Sequence, residues 1–329
     1  MRPTFSIIAF TVLSGAGYGL WFLLGLAAAS GWPACAAPAA DACAAHSAWL
    51  AGGLGAGFVL VTAGLLCSLG HLGKPLRAWR ALSQWRSSWL SREGVASLLT
   101  YLPALGLGLP ALAGALGAEA APFPGGRRVA GLALALGAAA TVVCTANIYA
   151  SLKPIRAWRD RGVVPGYLLL GLYSGGLLLW LGAALAGAAA GAMRMLPVGL
   201  AILALACAWL KRGYWRRIDA LPPANAGRAT GLDALGATRT LEQPHTEENY
   251  LTREMGFVFA RRHARRLRAF VQGAGFAAPA LLAAAAAAWP AAGAVAAAPA
   301  LASALCGLLV ERWLFFAEAR HAVAGYYAR

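Results

Sequence analysis

Charged residues are scarce in this chain. Asp, Glu, Lys and Arg make up 12% of its 329 residues, whereas hydrophobic residues make up 60%. A soluble domain typically has about 25% charged and about 45–50% apolar residues. The deficit excludes an ordinary soluble domain and predicts an integral membrane protein. The apolar runs are continuous and rich in Ala, Leu and Gly rather than alternating, which indicates helices and not the strands of a barrel.

We expect an all-α integral membrane protein with eight transmembrane helices, because eight apolar runs are long enough to cross a hydrocarbon core of ~30 Å. The first run exceeds the ~7–15 residues of a signal-peptide core, so we interpret it as a retained helix. Residues 1–329 then form a single polytopic membrane domain, with a polar cytoplasmic loop at about 211–269. The predicted spans are Phe5–Ala29, Ala48–Leu72, Val95–Gly117, Val129–Ser151, Val164–Gly187, Met195–Leu210, Phe270–Trp289 and Ala297–Phe316.

Cysteine and histidine are also few, and their placement restricts the cofactors. The six cysteines contain no CxxC pair and no metal-ligand spacing, so this chain alone holds no iron–sulfur cluster and no metal site. Cys35 and Cys43 share the first outer loop, where a disulfide remains an open alternative. Of the five histidines, His71 alone lies at a membrane boundary beside a span. A haem b in a helical bundle needs a facing pair of axial histidines, so we expect no haem.

Acidic residues are outnumbered, and the distribution of the basic ones gives the orientation. The net charge is +16, and 25 of the 28 Lys and Arg fall on one side if the eight spans alternate. The opposite side keeps Arg127, Arg128 and Arg194. This bias is the positive-inside pattern, which predicts cytoplasmic N- and C-termini in a bacterial inner (cytoplasmic) membrane. The basic charge is therefore explained by topology, and we expect no nucleic-acid partner.

Two segments of the chain nearly repeat each other. Lys74–Arg80 reads KPLRAWR and Lys153–Arg159 reads KPIRAWR, 79 residues apart with two predicted spans between them. We call them the first and second repeat segments. Because two spans separate them, both must emerge on the same face of the membrane. His71 precedes the first repeat segment by three residues, whereas Ala150 holds that place before the second.

Four residues near the first repeat segment form a candidate quinone site. His71 can exchange a proton near neutral pH, and Glu93 lies at the same membrane face at the start of the third span. Lys74 and Arg77 could stabilise negative charge on a semiquinone or quinol anion. A quinone headgroup needs such groups beside an apolar channel for its tail. The alternative is structural: Glu93 favours the dipole at a helix start, and His71 caps the second span.

The residues around this site resemble the membrane-anchor subunit of dimethyl sulfoxide reductase. The resemblance lies in Leu69–Trp79 (LGHLGKPLRAW), Leu90–Glu93 (LSRE) and Ile148–Ile155 (IYASLKPI), and it extends over all eight spans. Glu254–Phe257 (EMGF) resembles the anchors of sulfite dehydrogenases within the same family.

This resemblance implies a haem-free anchor that is not itself catalytic. It would exchange electrons between menaquinone or ubiquinone and an iron–sulfur electron-transfer subunit, which serves a molybdopterin catalytic subunit. The quinol-site histidine and glutamate of the family correspond to His71 and Glu93. Two rivals remain at this point. A secondary transporter would have inverted repeats around a midplane site, whereas this repeat is parallel and lies at the surface. A purely structural anchor would not need His71 and Glu93.

Two further groups of charged residues are interpreted from their position relative to the membrane. The basic helix that closes the long loop, Glu254–Arg268, is either a juxtamembrane anchor attracted to anionic lipid or a docking surface for a soluble subunit. Glu311 and Arg312, near the end of the last span, are interpreted as a boundary pair that snorkels toward water.

Overall fold

The computed structural model describes residues 4–31, 40–70, 72–118, 124–187, 195–222, 225–236, 238, 241–242 and 259–323. Within these residues, eight helical stretches are long and apolar enough to cross a membrane, so the predicted all-α fold with eight spans is confirmed. The only β pairing in the described residues is an isolated bridge between Ile155 and His321. The side chains of Cys35 and Cys43 lie outside the described residues, so their disulfide stays a prediction.

The helices are α1 (Phe5–Ala29), α2 (Ala40–Leu69), α3 (Trp89–Ala115), α4 (Pro124–Ala150), α5 (Val163–Leu185), α6 (Leu196–Asp219), the short α7 (Ala226–Thr230), α8 (Phe259–Phe270), α9 (Ala278–Ala288) and α10 (Gly293–Ala317). A π-helical segment, Val271–Ala277, joins α8 to α9, so that Arg262–Ala288 is the seventh span. A 3₁₀ helix, Pro75–Gln84, lies between α2 and α3.

Helix α1 lies at the centre of the bundle, where it packs against α2, α4, α5 and α10. Its Trp21 is fully buried and donates a hydrogen bond from Nε1 to the Leu54 carbonyl of α2 over 3.1 Å. Helices α6, α9 and α10 form a second group that packs on α5. The sixth and seventh spans are thus held to the central helix largely through α5 and α10.

Glycines allow two pairs of helices to approach closely. A Cβ added to Gly19 of α1 would lie 1.9 Å from the Gly171 carbonyl oxygen of α5, and a Cβ on Gly307 of α10 would lie 2.2 Å from the Gly275 Cα. Contacts this short leave no room for any side chain. Small residues serve this purpose in membranes, where helix association depends on close packing because lipid is as apolar as the helix surface.

The sixth and seventh spans extend further than the sequence predicted. Helix α6 continues past Leu210 to Asp219, and the seventh span begins at Arg262 rather than Phe270. The basic run after Leu210 is therefore helical, and both ends of the predicted 211–269 loop belong to helices. Residues Glu254–Phe257 of that loop lie outside the described residues.

Candidate functional site

Glu93 is buried inside the helical bundle. It lies four residues after the start of α3, about 6 Å along the helix axis, and its exposed fraction is 5%. The Thr145 hydroxyl of α4 donates a hydrogen bond to Glu93 Oε1. An acid that served only the helix dipole would sit in water beside the first turn. A buried carboxylate instead carries a desolvation cost, so its burial requires another explanation.

The connection between α2 and α3 is fixed onto the helix that carries Glu93. The Arg92 guanidinium donates to the Trp85 carbonyl over 3.0 Å and to the Arg86 carbonyl over 2.6 Å. The Ser91 hydroxyl bonds the Ala81 carbonyl in the same connection. Because these bonds come from residues adjacent to Glu93, they hold the connection beside the start of α3.

Lys74 and Arg77 are exposed in this connection and, among the described residues, take part in no ion pair. The connection lies at the end of the bundle where α3 begins, so Lys74 and Arg77 share that end with Glu93 without an ion pair to it. His71 lies outside the described residues, and its place in the site stays a prediction.

A small cavity with a largely apolar lining and several polar side chains lies beside Thr145. Its lining includes Ser14 and Tyr18 of α1, Thr145 of α4, Tyr167 of α5 and Arg312 of α10. Its volume is about 30 Å³, and a water needs about 10–15 Å³ measured in this way. The cavity can hold water between Thr145 and Arg312, but it is too small for a quinone ring.

A buried ion cluster beyond this cavity was missed by the sequence analysis. Glu311 of α10 bonds both the Lys211 ammonium of α6 and the neighbouring Arg312 guanidinium. All three residues are at most 5% exposed. The interpretation of Glu311 and Arg312 as a snorkelling pair is therefore wrong, because their charges are neutralised inside the protein rather than at its boundary.

Aromatic rings enclose the two cations of this cluster. Lys211 Nζ lies 4.1 Å from the ring centre of Tyr214 and 5.4 Å from that of Trp215, and Arg312 lies 4.4 Å from the ring centre of Tyr167. Tyr214 and Trp215 lie three and four residues after Lys211. This helical spacing was the signal that could have placed Lys211 on an inward-facing helix.

The ion cluster continues toward the surface at the ends of α6, α8 and α10. Arg268 bonds Glu318 over 3.0 Å and Asp219 over 2.6 Å. Burial raises the pKa of Glu318, although the Arg268 guanidinium beside it opposes this effect. Together with Lys211, Glu311 and Arg312, these residues give three cations and three carboxylates, so the network is neutral when all are ionised.

The fold and the site define a polytopic membrane subunit whose charged groups gather at one end of the bundle. The chain belongs to the family described as DMSO reductase anchor subunit (DmsC), which matches residues 1–214. It is 32% identical to a sulfite dehydrogenase subunit of Allochromatium vinosum over 354 aligned positions, which cover 99% of each chain. No solved structure matches it.

Membership of this family makes the chain the membrane anchor subunit of a molybdopterin oxidoreductase complex. The anchor interpretation is thereby confirmed over the secondary transporter. The family in general interacts with quinones.

Proposed function

We propose that this anchor exchanges electrons with menaquinone or ubiquinone at the end of the bundle formed by α2, α3 and the connection between them. His71, Glu93, Lys74 and Arg77 form the site. The observation that carries the proposal is the burial of Glu93 against Thr145, because a carboxyl group in the membrane interior is costly and marks functional positions.

Each residue has a role that follows from its chemistry. Reduction of a quinone takes up two electrons and two protons, and oxidation of the quinol releases them. Glu93 and His71 exchange the two protons with the two oxygens of the headgroup. Lys74 and Arg77 lie on the exposed connection and stabilise negative charge as it develops on those oxygens.

We infer that the partners are an iron–sulfur electron-transfer subunit and a molybdopterin catalytic subunit, which would hold the metal centres of the complex. They would assemble on the cytoplasmic face of a bacterial inner membrane, where the positive-inside pattern also places both termini. The relative from Allochromatium vinosum is named as a sulfite dehydrogenase subunit, which supports sulfite as the substrate of the catalytic partner. Oxidation of sulfite with water would give sulfate, two protons and two electrons, and the electrons would then pass to the quinone.

The experiment compares Glu93→Gln and His71→Ala with the matched control Ala150→Val at the equivalent place before the second repeat segment. Glu93→Gln keeps the volume of the side chain and its bond from Thr145. Quinone-linked turnover of the whole complex should fall by ~10²–10⁴-fold in the first two variants, because each removes a proton-transfer group. Activity with a soluble artificial dye should persist, since the dye takes electrons from the partner subunits directly.

The control variant should keep its quinone-linked turnover. If Glu93→Gln and His71→Ala both retain normal quinone kinetics, the chain is a purely structural anchor and the site assignment is wrong. If dye activity is lost as well, the complex has failed to assemble, and the amount of partner subunits in the purified complex identifies that case.

A further inference from the structure

The two repeat segments have nearly the same sequence but opposite surroundings. In the second, Ile155 and Trp158 are each 4% exposed. At the same motif positions of the first, Leu76 is 94% exposed and Trp79 is 68% exposed. The apolar side chains of the motif thus face the protein interior in one copy and the exterior in the other, whereas its basic side chains are exposed in both.

Residues 315–322, at the end of α10 and just after it, cover the second repeat segment. The Trp158 ring stacks on Phe315, with ring centres 5.7 Å apart, and its Nε1 donates to the Phe315 carbonyl over 2.9 Å. Ile155 forms the β bridge with His321, and the Ala322 N–H donates to the Pro154 carbonyl over 2.9 Å. The motif is therefore able to receive a protein segment through aromatic stacking and backbone hydrogen bonds.

The first repeat segment lies at the start of the 3₁₀ helix Pro75–Gln84, which packs on α3. On the inner side of the 3₁₀ helix that carries this segment, Leu82 packs so closely on α3 that a Cβ added to Gly94 would lie 2.8 Å from the Leu82 Cδ2 atom. On the outer side of this stretch Leu76, Trp79 and Trp85 are largely exposed, and the ring contacts of the two tryptophans are with Arg80 and Arg86 of the same stretch. Five cations lie in the same stretch, without any Asp or Glu between residues 72 and 92: Lys74, Arg77, Arg80, Arg86 and Arg92.

We propose that the outer face of the first repeat segment, with Leu76, Trp79 and Arg80 at its centre, docks the electron-transfer subunit of the complex. The occupant takes the place that residues 315–322 take over the second repeat segment. Its surface presents an aromatic or aliphatic side chain to Leu76 and Trp79, and carboxylates to the surrounding cations. This inference rests on the proposed function, and it places the partner directly against the connection that is bonded to the start of α3 beside Glu93.

A lipid surface is the main competitor, since basic segments with Trp and Leu also lie in the headgroup region. The internal comparison favours protein. The matching residues of the second repeat segment are buried by a stacked aromatic ring and by a paired backbone segment, and lipid supplies neither. A central exposed Trp beside an Arg is moreover the composition of a binding hot spot in protein interfaces.

The first test measures access to Leu76. A Leu76→Cys variant is made in a background whose six native cysteines are replaced, and it is labelled with a membrane-impermeant maleimide. Labelling from the side that corresponds to the cytoplasm should be fast for the chain alone in lipid vesicles and much slower in the intact complex. The matched Ile155→Cys variant should react slowly in both, because the end of the chain already covers that position. Slow labelling of Leu76→Cys in vesicles without partners would show burial in lipid and overturn the proposal.

The second test measures binding of the partner. Trp79→Ala and Arg80→Glu should weaken retention of the electron-transfer subunit by about 10- to 30-fold, as expected for loss of a hot-spot residue. Arg159→Glu, the exposed equivalent of Arg80 in the second repeat segment, should retain it. Full retention in both first-segment variants overturns the proposal, as does a change confined to self-association of this chain. Neither test uses quinone turnover, so a failure here is distinct from a failure of the quinone site.

Discussion

Replacement of Glu311 by Gln should destabilise the bundle more than replacement of any charged residue at the surface. Glu311 is 1% exposed and is the carboxylate that both Lys211 and Arg312 bond. Glu311→Gln preserves its volume but leaves two cations buried without a counter-charge. Removal of one partner from a buried ion pair costs about 3–5 kcal/mol. At the lower end of the usual scaling, about 2 °C per kcal/mol for a large chain, the melting temperature should fall by about 6–10 °C.

The assay is thermal unfolding of the purified complex in detergent, and Asp219→Asn is the matched control. Asp219 belongs to the same network, but its side chain is 59% exposed, so the change should cost about 0–1 kcal/mol. Replacement of the whole cluster, Lys211→Met with Glu311→Gln and Arg312→Met, should recover most of the lost stability, because no uncompensated charge then remains buried. A melting temperature for Glu311→Gln equal to that of Asp219→Asn would refute the argument.

Two further predictions concern helix packing and orientation. Gly19→Ala should destabilise the chain by about 1–3 kcal/mol or more, because its Cβ would lie 1.9 Å from the Gly171 carbonyl oxygen; Gly106→Ala, where nothing lies within 4 Å of the new atom, is the control in the same melting assay. A cysteine introduced at residue 40 should be labelled only from outside the cell and one at residue 230 only from inside, since the positive-inside bias predicts that the long loop is cytoplasmic. The reverse labelling pattern would invert the proposed topology.

The spans could be predicted because each depends on a local property. A run of about 20 apolar residues spans a bilayer regardless of what it packs against, so all eight runs were found in the sequence. The ends of α6 and of the seventh span could not be placed in this way. There the helix continues into charged residues, Lys211 among them, because Glu311 from the far end of the chain neutralises that ammonium group inside the bundle.

The candidate site was only partly accessible to sequence reasoning. The repeat segments and the asymmetry between His71 and Ala150 pointed to one end of the bundle, and Glu93 was identified by type and position. Its burial was not predictable, since it depends on Thr145, which lies 52 residues away on another helix. The small cavity beside Thr145 likewise exists only where α1, α4, α5 and α10 meet.

By itself, the sequence determined that this is an eight-span helical membrane protein, because span length and composition act within each segment. It also determined the motif that identifies the anchor family. Tertiary structure alone decided which charges are buried and which copy of the repeat is covered. The ion pair of Lys211 with Glu311 and the contact of Ile155 with His321 join residues at least 100 positions apart. Pairing and burial of this kind depend on which helices meet, and no local pattern of residues encodes that.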